Sequence, residues 1–284
     1  MLVEILKAIF IGIVQGITEW LPVSSTGHMI IVNDLLPLDV SSEFWDLFEV
    51  VIQLGSILAI IVLFFDKLNP WSKNKTPELK KKTWILWHKV IIATIPTAII
   101  GVPIDLLFDY LIKDSQLARI LTISVALIVY GVAFIVIERL NKNKSKKCED
   151  VYEIDYKTAI GIGCFQSLSV IPGTSRSGST ILGGSVLGVS RSAAAEFSFF
   201  LAIPVMLGAS LLKAAKAVLI DQISMTGTEI VVLIVGTITA FAVSLVAVKF
   251  LMSFVKNHSF IVFGIYRIAL GTLVIGYFLV KMLL

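Results

Sequence analysis

Apolar residues gather in ten blocks along the chain, at residues 2–17, 29–38, 44–65, 84–108, 117–137, 159–171, 181–189, 193–220, 230–252 and 260–284. Six of these (44–65, 84–108, 117–137, 193–220, 230–252 and 260–284) reach the ~20 residues that carry a helix across a bilayer core. The other four are too short. None alternates polar and apolar positions over roughly ten residues, as the strands of an outer-membrane barrel do. Helices are therefore expected throughout, because they satisfy every backbone group internally. The short blocks form two pairs, each broken by a polar link rich in glycine and hydroxyls, residues 22–28 and 172–180. Irregular backbone at membrane depth is tolerated only inside protein or along a cavity, so each pair reads as a re-entrant hairpin.

The two hairpins echo each other. Residues 15–27 read Gln-Gly-Ile-Thr-Glu-Trp-Leu-Pro-Val-Ser-Ser-Thr-Gly, and residues 166–178 read Gln-Ser-Leu-Ser-Val-Ile-Pro-Gly-Thr-Ser-Arg-Ser-Gly. Each is followed by a span with adjacent Phe and Glu (Phe48 and Glu49, Glu196 and Phe197) and then by two more spans. A hairpin plus three spans crosses the membrane an odd number of times, so a second copy enters upside down, with the broken helices face to face. The expected fold is an all-α polytopic membrane protein of two inverted-topology repeats, each a re-entrant helical hairpin plus three transmembrane helices. The first repeat is 1–140, with hairpin 2–38 and spans 44–65, 84–108 and 117–137. A basic cytoplasmic linker, 141–157, leads to the second, 158–284, with hairpin 159–189 and spans 193–220, 230–252 and 260–284.

Composition agrees with this reading. Of 284 residues, 57% are hydrophobic and 15% charged, against about 25% charged in soluble domains, which excludes an ordinary soluble enzyme. The net charge of +4 reflects topology, not nucleic-acid binding: the basic residues concentrate in links 66–83 and 138–157, which the positive-inside bias puts in the cytoplasm. The links with Asp105, Asp109, Lys113 and Asp114, and with Asp221 and Glu229, are acidic and should face outward. Lys213 and Lys216, near an outer end, run against the bias, and snorkelling accommodates them. Cys148 and Cys164 make no disulfide framework. The first block, with Glu4 and Lys7 and no small-residue cleavage pattern, reads as mature protein and not as a signal peptide.

Chemistry concentrates at the two links. Gln15 and Glu19 share one helix face, and Glu19 stands at the mouth of the first link as an interfacial carboxylate, a general base or a metal ligand. Intramembrane ionisable residues usually mark sites. Ser25 and His28 flank Gly27; Ser24 and Ser25 suit helix capping, and a serine beside a base suits nucleophilic attack. His88 and His258 look interfacial, so no multi-histidine metal cage is available. The second link offers Arg176, hydroxyls and glycines opening onto a helix, a combination that binds an anion through backbone N–H groups and a guanidinium fork. The partner of Arg176 is Glu19, Glu49, Glu196 or a substrate phosphate. Glu49 and Glu196 could instead meet Arg191, structural pairing being the default for Glu196, and Gln53 lies one turn beyond Glu49. Phe197, Phe199 and Phe200 read as packing.

Over nearly its whole length the chain resembles the BacA-type undecaprenyl-diphosphate phosphatases of bacterial membranes. The residues that carry the resemblance are Gln15 to Glu19, the Leu21-Pro22-Val23-Ser24-Ser25-Thr26-Gly27-His28 link, Phe48 to Gly55, the Pro172-Gly173-Thr174-Ser175-Arg176-Ser177-Gly178 link, and Ser190-Arg191 through Glu196-Phe197-Ser198. The resemblance implies removal of the terminal phosphate of undecaprenyl diphosphate, recycling of the lipid carrier for cell-wall synthesis, and bacitracin resistance. It implies catalysis by Glu19, Ser25, His28 and Arg176, with substrate binding by Gln15, Ser24, Thr26, Gln53, Gln166, Thr174, Ser175, Ser177 and Thr180. A divalent cation, Mg²⁺ or Ca²⁺, would be held by Glu19, Glu49 and the diphosphate, although Gln15, where the family allows Glu, weakens any metal site of two carboxylates on this helix. Direct attack by water, with Ser25 only positioning, stays open beside the serine nucleophile. The implied partners are undecaprenyl diphosphate and membrane lipid, with no nucleic acid, and a homodimer is compatible. The implied location is the bacterial plasma (inner) membrane, multi-pass, with the active site toward the outer face. The competing reading is a polyprenyl-phosphate transporter or flippase, for which inverted repeats of broken helices are characteristic. A PAP2-type lipid phosphatase, suggested by Ser25 to His28, lacks a second well-placed histidine.

Overall fold

The computed structural model describes residues 1–112, 115–219 and 225–283. Lys113, Asp114 and Asp221, expected in outward links, and residues 220 and 284, expected to end two spans, lie outside the described residues. The described chain is helical: α1 (Leu2–Thr18), α2 (Ser25–Leu35), α3 (Ser42–Leu63), α4 (Phe65–Leu68), α5 (Pro77–Pro96), α6 (Val102–Ile112), α7 (Gln116–Leu140), α8 (Tyr156–Ser167), α9 (Arg176–Val186), α10 (Arg191–Leu219), α11 (Gly227–Asn257) and α12 (Ile261–Leu283). Between α5 and α6 the chain stays helical through a π turn, Thr97–Gly101, so one element, Pro77–Ile112, covers the expected 84–108 span. Among the described residues, six helices are long and apolar enough to cross a membrane.

Capping sets the helix starts. Ser41, Thr76, Ser115 and Thr226 accept hydrogen bonds from backbone N–H groups in the first turns of α3, α5, α7 and α11, satisfying donors that a helix start otherwise leaves unpaired. The polar links are shorter than the sequence pattern suggests, because Ser25 and Arg176 are already the first residues of α2 and α9. Ser24 and Ser175 cap these two helices in the same way, each accepting from the glycine N–H three residues on, Gly27 or Gly178. Both have positive φ, 74° and 69°, a conformation uncommon for any residue but glycine. The echo of the two segments thus extends to their local geometry.

Small residues bring the helices together. α1 and α3 both pack on α11, α7 packs on α12, and α5 on α8. A methyl group on Gly12 would stand 2.7 Å from the Gly236 carbonyl oxygen, and one on Gly55 would stand 2.5 Å from that of Thr237. At the α7–α12 crossing, Gly131 and Gly264 face each other reciprocally. Such close backbone approach is how helices associate in lipid, where no hydrophobic drive separates protein from solvent. The outward faces remain apolar: Leu58, Ile99, Leu106, Ile238 and Val246 are at least half exposed.

Ion pairing settles an open alternative. Glu196 meets neither Arg176 nor Arg191; its carboxylate lies 2.8 Å from Lys67 Nζ. Arg191 instead forks onto Glu138, its Nη2 donating at 2.6 Å and its Nε at 2.9 Å. Lys67 thus fastens the first basic link to α10 while Arg191 and Glu138 join α10 to α7, and Tyr152 of the second basic link donates its hydroxyl to the Lys67 carbonyl.

Candidate active site

The segments joining α1 to α2 and α8 to α9 meet around a cavity of about 270 Å³. Its polar lining comes from both: Glu19, Ser25 and Thr26 from the first, Ser175 and Arg176 from the second, with Gln53 from α3. Ser169 and Gly173 complete the polar side, and Val205, Met206 and Ala209 of α10 form an apolar wall. The volume is of the order of a diphosphate group with a few waters; a long prenyl chain would have to lie outside it.

Glu19 is the hub. Its Oε1 accepts from Arg176 Nη2 at 3.1 Å, and its Oε2 from Gln15 Nε2 at 3.0 Å and Ser25 Oγ at 3.2 Å. Gln15 reaches it from one turn earlier on α1, which stands behind the cavity and orients the carboxylate. Both members of the Glu19–Arg176 pair are buried, at 7% and 10% side-chain exposure, so each neutralises the other where an isolated charge would be costly. Arg176 also donates from Nη1 to the Ser198 carbonyl at 2.9 Å, while its buried Nε has no partner. A guanidinium with spare donors at a polar cavity is an anion receptor.

The other hydroxyls of the second segment shape the backbone. Thr174 donates to the Leu168 and Ile171 carbonyls, Ser177 to those of Glu19 and Leu21, and Thr180 to that of Arg176. Ser177 thereby fastens α9 to the end of α1. Ser24, fully buried, is engaged as a cap. These four residues support the cavity but do not line it.

Three expected site residues stand elsewhere. His28 does not line the cavity: one turn into α2, its Nδ1 lies 2.7 Å from the Ser24 carbonyl oxygen and its Nε2 2.7 Å from the Tyr266 hydroxyl. A carbonyl only accepts, so Nδ1 carries a proton, and in the neutral ring Nε2 accepts from the tyrosine hydroxyl. Gln166 is buried behind the second segment and donates to Thr97 at the π turn, 2.8 Å away. Glu49 is one helical turn from Gln53 but outside the cavity lining. Helical periodicity puts Glu49 and Gln53 on one face, but only the latter lines the cavity.

Among the described residues no three His, Cys, Asp or Glu side chains are grouped to hold a metal ion by themselves, and of the two expected carboxylates only Glu19 lines the cavity. Glu19 sharing a cation with substrate phosphates does fit, since Mg²⁺ is usually held by one or two carboxylates together with phosphate oxygens.

The sequence reading passed over Arg267, in the middle of the last apolar block. Its side chain is fully buried. Nη1 donates to the Pro22 carbonyl at 3.2 Å, and Nη2 donates to those of Gly173 and Thr174 at 2.9 Å each, while its Cζ sits 5.4 Å from the centre of the Tyr130 ring. One guanidinium thus ties the two loops together. Gly173 suits the junction: its φ of +96° and its packing on the Ile123 backbone leave no room for a side chain. A charged residue inside an apolar span was the available signal. Trp20, also fully buried, lies beneath Arg176.

A family model described as bacitracin resistance protein BacA matches residues 8–273. Among similar proteins, an undecaprenyl-diphosphatase of Enterococcus faecalis is 53% identical over 273 residues, 96% of this chain and 97% of the relative. One of Streptococcus thermophilus is 51% identical over 282 residues, 99% of this chain and 96% of the relative. One of Acetivibrio thermocellus is 51% identical over 278 residues, 98% of this chain and 99% of the relative.

Proposed function

The chain belongs to the bacitracin resistance protein BacA family, and on that premise we propose that it hydrolyses undecaprenyl diphosphate to undecaprenyl phosphate and inorganic phosphate, recycling the lipid carrier for cell-wall synthesis and so conferring bacitracin resistance. The observation that carries the reading is the convergence of Glu19, Ser25 and Arg176, from two distant segments, on one cavity of phosphate-binding character. Arg176 receives the terminal phosphate, which displaces Glu19 as its anionic partner, and stabilises the charge that develops in an in-line displacement. Ser25 Oγ attacks that phosphorus, its proton passes to Glu19, and the bond to the bridging oxygen breaks, so undecaprenyl phosphate leaves with the electron pair. Glu19 returns that proton to the departing phosphate oxygen and, ionised again, takes one from the water that attacks the phosphoserine; it then gives this proton to Ser25 Oγ as inorganic phosphate leaves. Glu19 is the base in this scheme because Ser25 already donates to it; His28, held between Ser24 and Tyr266, shapes the loop. Glu19 and the diphosphate would hold a divalent cation, Mg²⁺ or Ca²⁺, which would supply further neutralisation of phosphate charge.

The same reading extends to topology. Two inverted repeats, 1–140 and 158–284, flank the basic linker 141–157, each with a re-entrant hairpin. The matching caps at Ser24 and Ser175 support this pairing. The basic links face the cytoplasm of a bacterial inner membrane and the cavity opens toward the outer face, as the charge bias favours. A homodimer is compatible with this arrangement.

The test is phosphate release from undecaprenyl diphosphate by purified protein in detergent, with Mg²⁺ or Ca²⁺, comparing wild type with Arg176→Ala. Release that the substitution abolishes is the expected result. A folded wild-type protein that releases no phosphate with either ion would turn the reading to a polyprenyl-phosphate flippase, assayed next in liposomes.

A further inference from the structure

Arg176 rests on three supports. Glu19 accepts from Nη2 at 3.1 Å, the Ser198 carbonyl accepts from Nη1 at 2.9 Å, and the Trp20 ring lies under the guanidinium with its centre 5.3 Å from Cζ. Only the first is an anion. The Trp20 side chain is fully buried, and Phe199 meets it perpendicularly at 5.3 Å. Phe199 follows Ser198 in α10, so one turn of that helix braces both the guanidinium and the ring beneath it.

A phosphate entering the cavity competes with Glu19 for the guanidinium, and the mechanism needs Glu19 free to take the Ser25 proton. Arg176 must therefore exchange one anionic partner for another without leaving its place. The two supports that survive the exchange are neutral. A carbonyl bonded to one nitrogen leaves the planar group free to pivot, whereas an aromatic face restrains its plane without quenching its charge. Such a contact strengthens when water is excluded, as it is around a buried indole.

We propose that Trp20 is a positioning residue for phosphate binding: its indole face holds the Arg176 guanidinium in place while the partner of that group changes from Glu19 to the substrate's terminal phosphate. This rests on the reading that the cavity takes a diphosphate.

The test replaces Trp20 site-specifically, in the full chain, with tryptophans carrying one, two, three and four ring fluorines, which keep the shape of the side chain while weakening its π face stepwise. KM and kcat for undecaprenyl diphosphate and the Kd for inorganic diphosphate are measured in detergent, with Trp20→Phe and Trp20→Leu as a second pair. The expected result is a graded rise of KM and Kd with fluorine count, reaching about 3- to 30-fold, at nearly constant kcat and melting temperature, and a larger KM for Trp20→Leu than for Trp20→Phe. A flat series in an active protein overturns the proposal and leaves Trp20 a packing residue. A wild-type protein that neither binds inorganic diphosphate nor releases phosphate overturns the diphosphate reading, and this inference with it.

Discussion

Glu19 and Arg176 are 157 residues apart in the chain and 3.1 Å apart in the fold. Their contact joins the two segments into one site, and the same carboxylate receives the Ser25 hydroxyl on its other oxygen. Glu19→Gln preserves shape and can still accept from Ser25, but it cannot take a proton. Phosphate release per folded molecule should fall by about 10²- to 10⁴-fold, the contribution of a general base, and the melting temperature in detergent should fall as well, because Arg176 loses its buried counter-charge. Turnover above half of wild type would remove Glu19 from the base role. Ser25→Ala should fall at least as far; retention of most turnover there would leave water as the nucleophile.

His28 makes the opposite prediction. Its ring nitrogens contact Ser24 and Tyr266, and in the proposed mechanism it shapes the first segment while Glu19 carries the proton. His28→Asn and Tyr266→Phe should each lower kcat by less than about tenfold, well short of the loss of a general base. A drop of a thousandfold in His28→Asn with Tyr266→Phe unaffected would return His28 to the chemistry.

Arg267 should behave as a clamp. Arg267→Met removes three hydrogen bonds from a charged donor to carbonyls on both loops, each worth about 1.5–3 kcal/mol, and also removes a buried charge with its desolvation cost. The net expectation is a destabilisation of roughly 2–4 kcal/mol, read as a lower melting temperature. Arg267→Lys should recover part of it, since an ammonium keeps the charge but loses the fork. Equal melting temperatures for wild type and Arg267→Met would show that the loops are held by other contacts.

The α5–α8 crossing offers a packing test. A methyl group on Gly163 would collide with the backbone of Ala93, whereas one on Gly208 meets nothing within 4 Å. Gly163→Val should abolish folded protein in detergent extracts, and Gly208→Ala should leave yield and melting temperature within error. A well-folded Gly163→Val protein would mean that α5 and α8 separate at little cost.

Much of this protein is legible in its pattern of residues. Hydropathy blocks of ~20 residues mark the six long helices because lipid demands continuous apolar helix of that length. The link residues Glu19, Ser25 and Arg176 stand out because charge and hydroxyls between apolar blocks are costly without a purpose. Individual partners were less accessible. Glu196 had two arginines to choose from, Arg176 and Arg191, and meets Lys67, because side-chain pairing depends on where a link folds back, which spacing does not encode.

The sequence by itself determined the helical class, the number of long spans, the two interrupted pairs and the residues rich enough in chemistry to form a site, because these follow from local composition and periodicity. Only the tertiary structure decided which of those residues share a cavity. It brought Glu19 to Arg176, turned His28 toward Tyr266, left Glu49 outside the lining, and set Arg267 and Trp20 behind the loops. Each of these outcomes depends on the relative rotation and depth of helices far apart in the chain, and close packing at small residues fixes that geometry with no trace in the linear pattern.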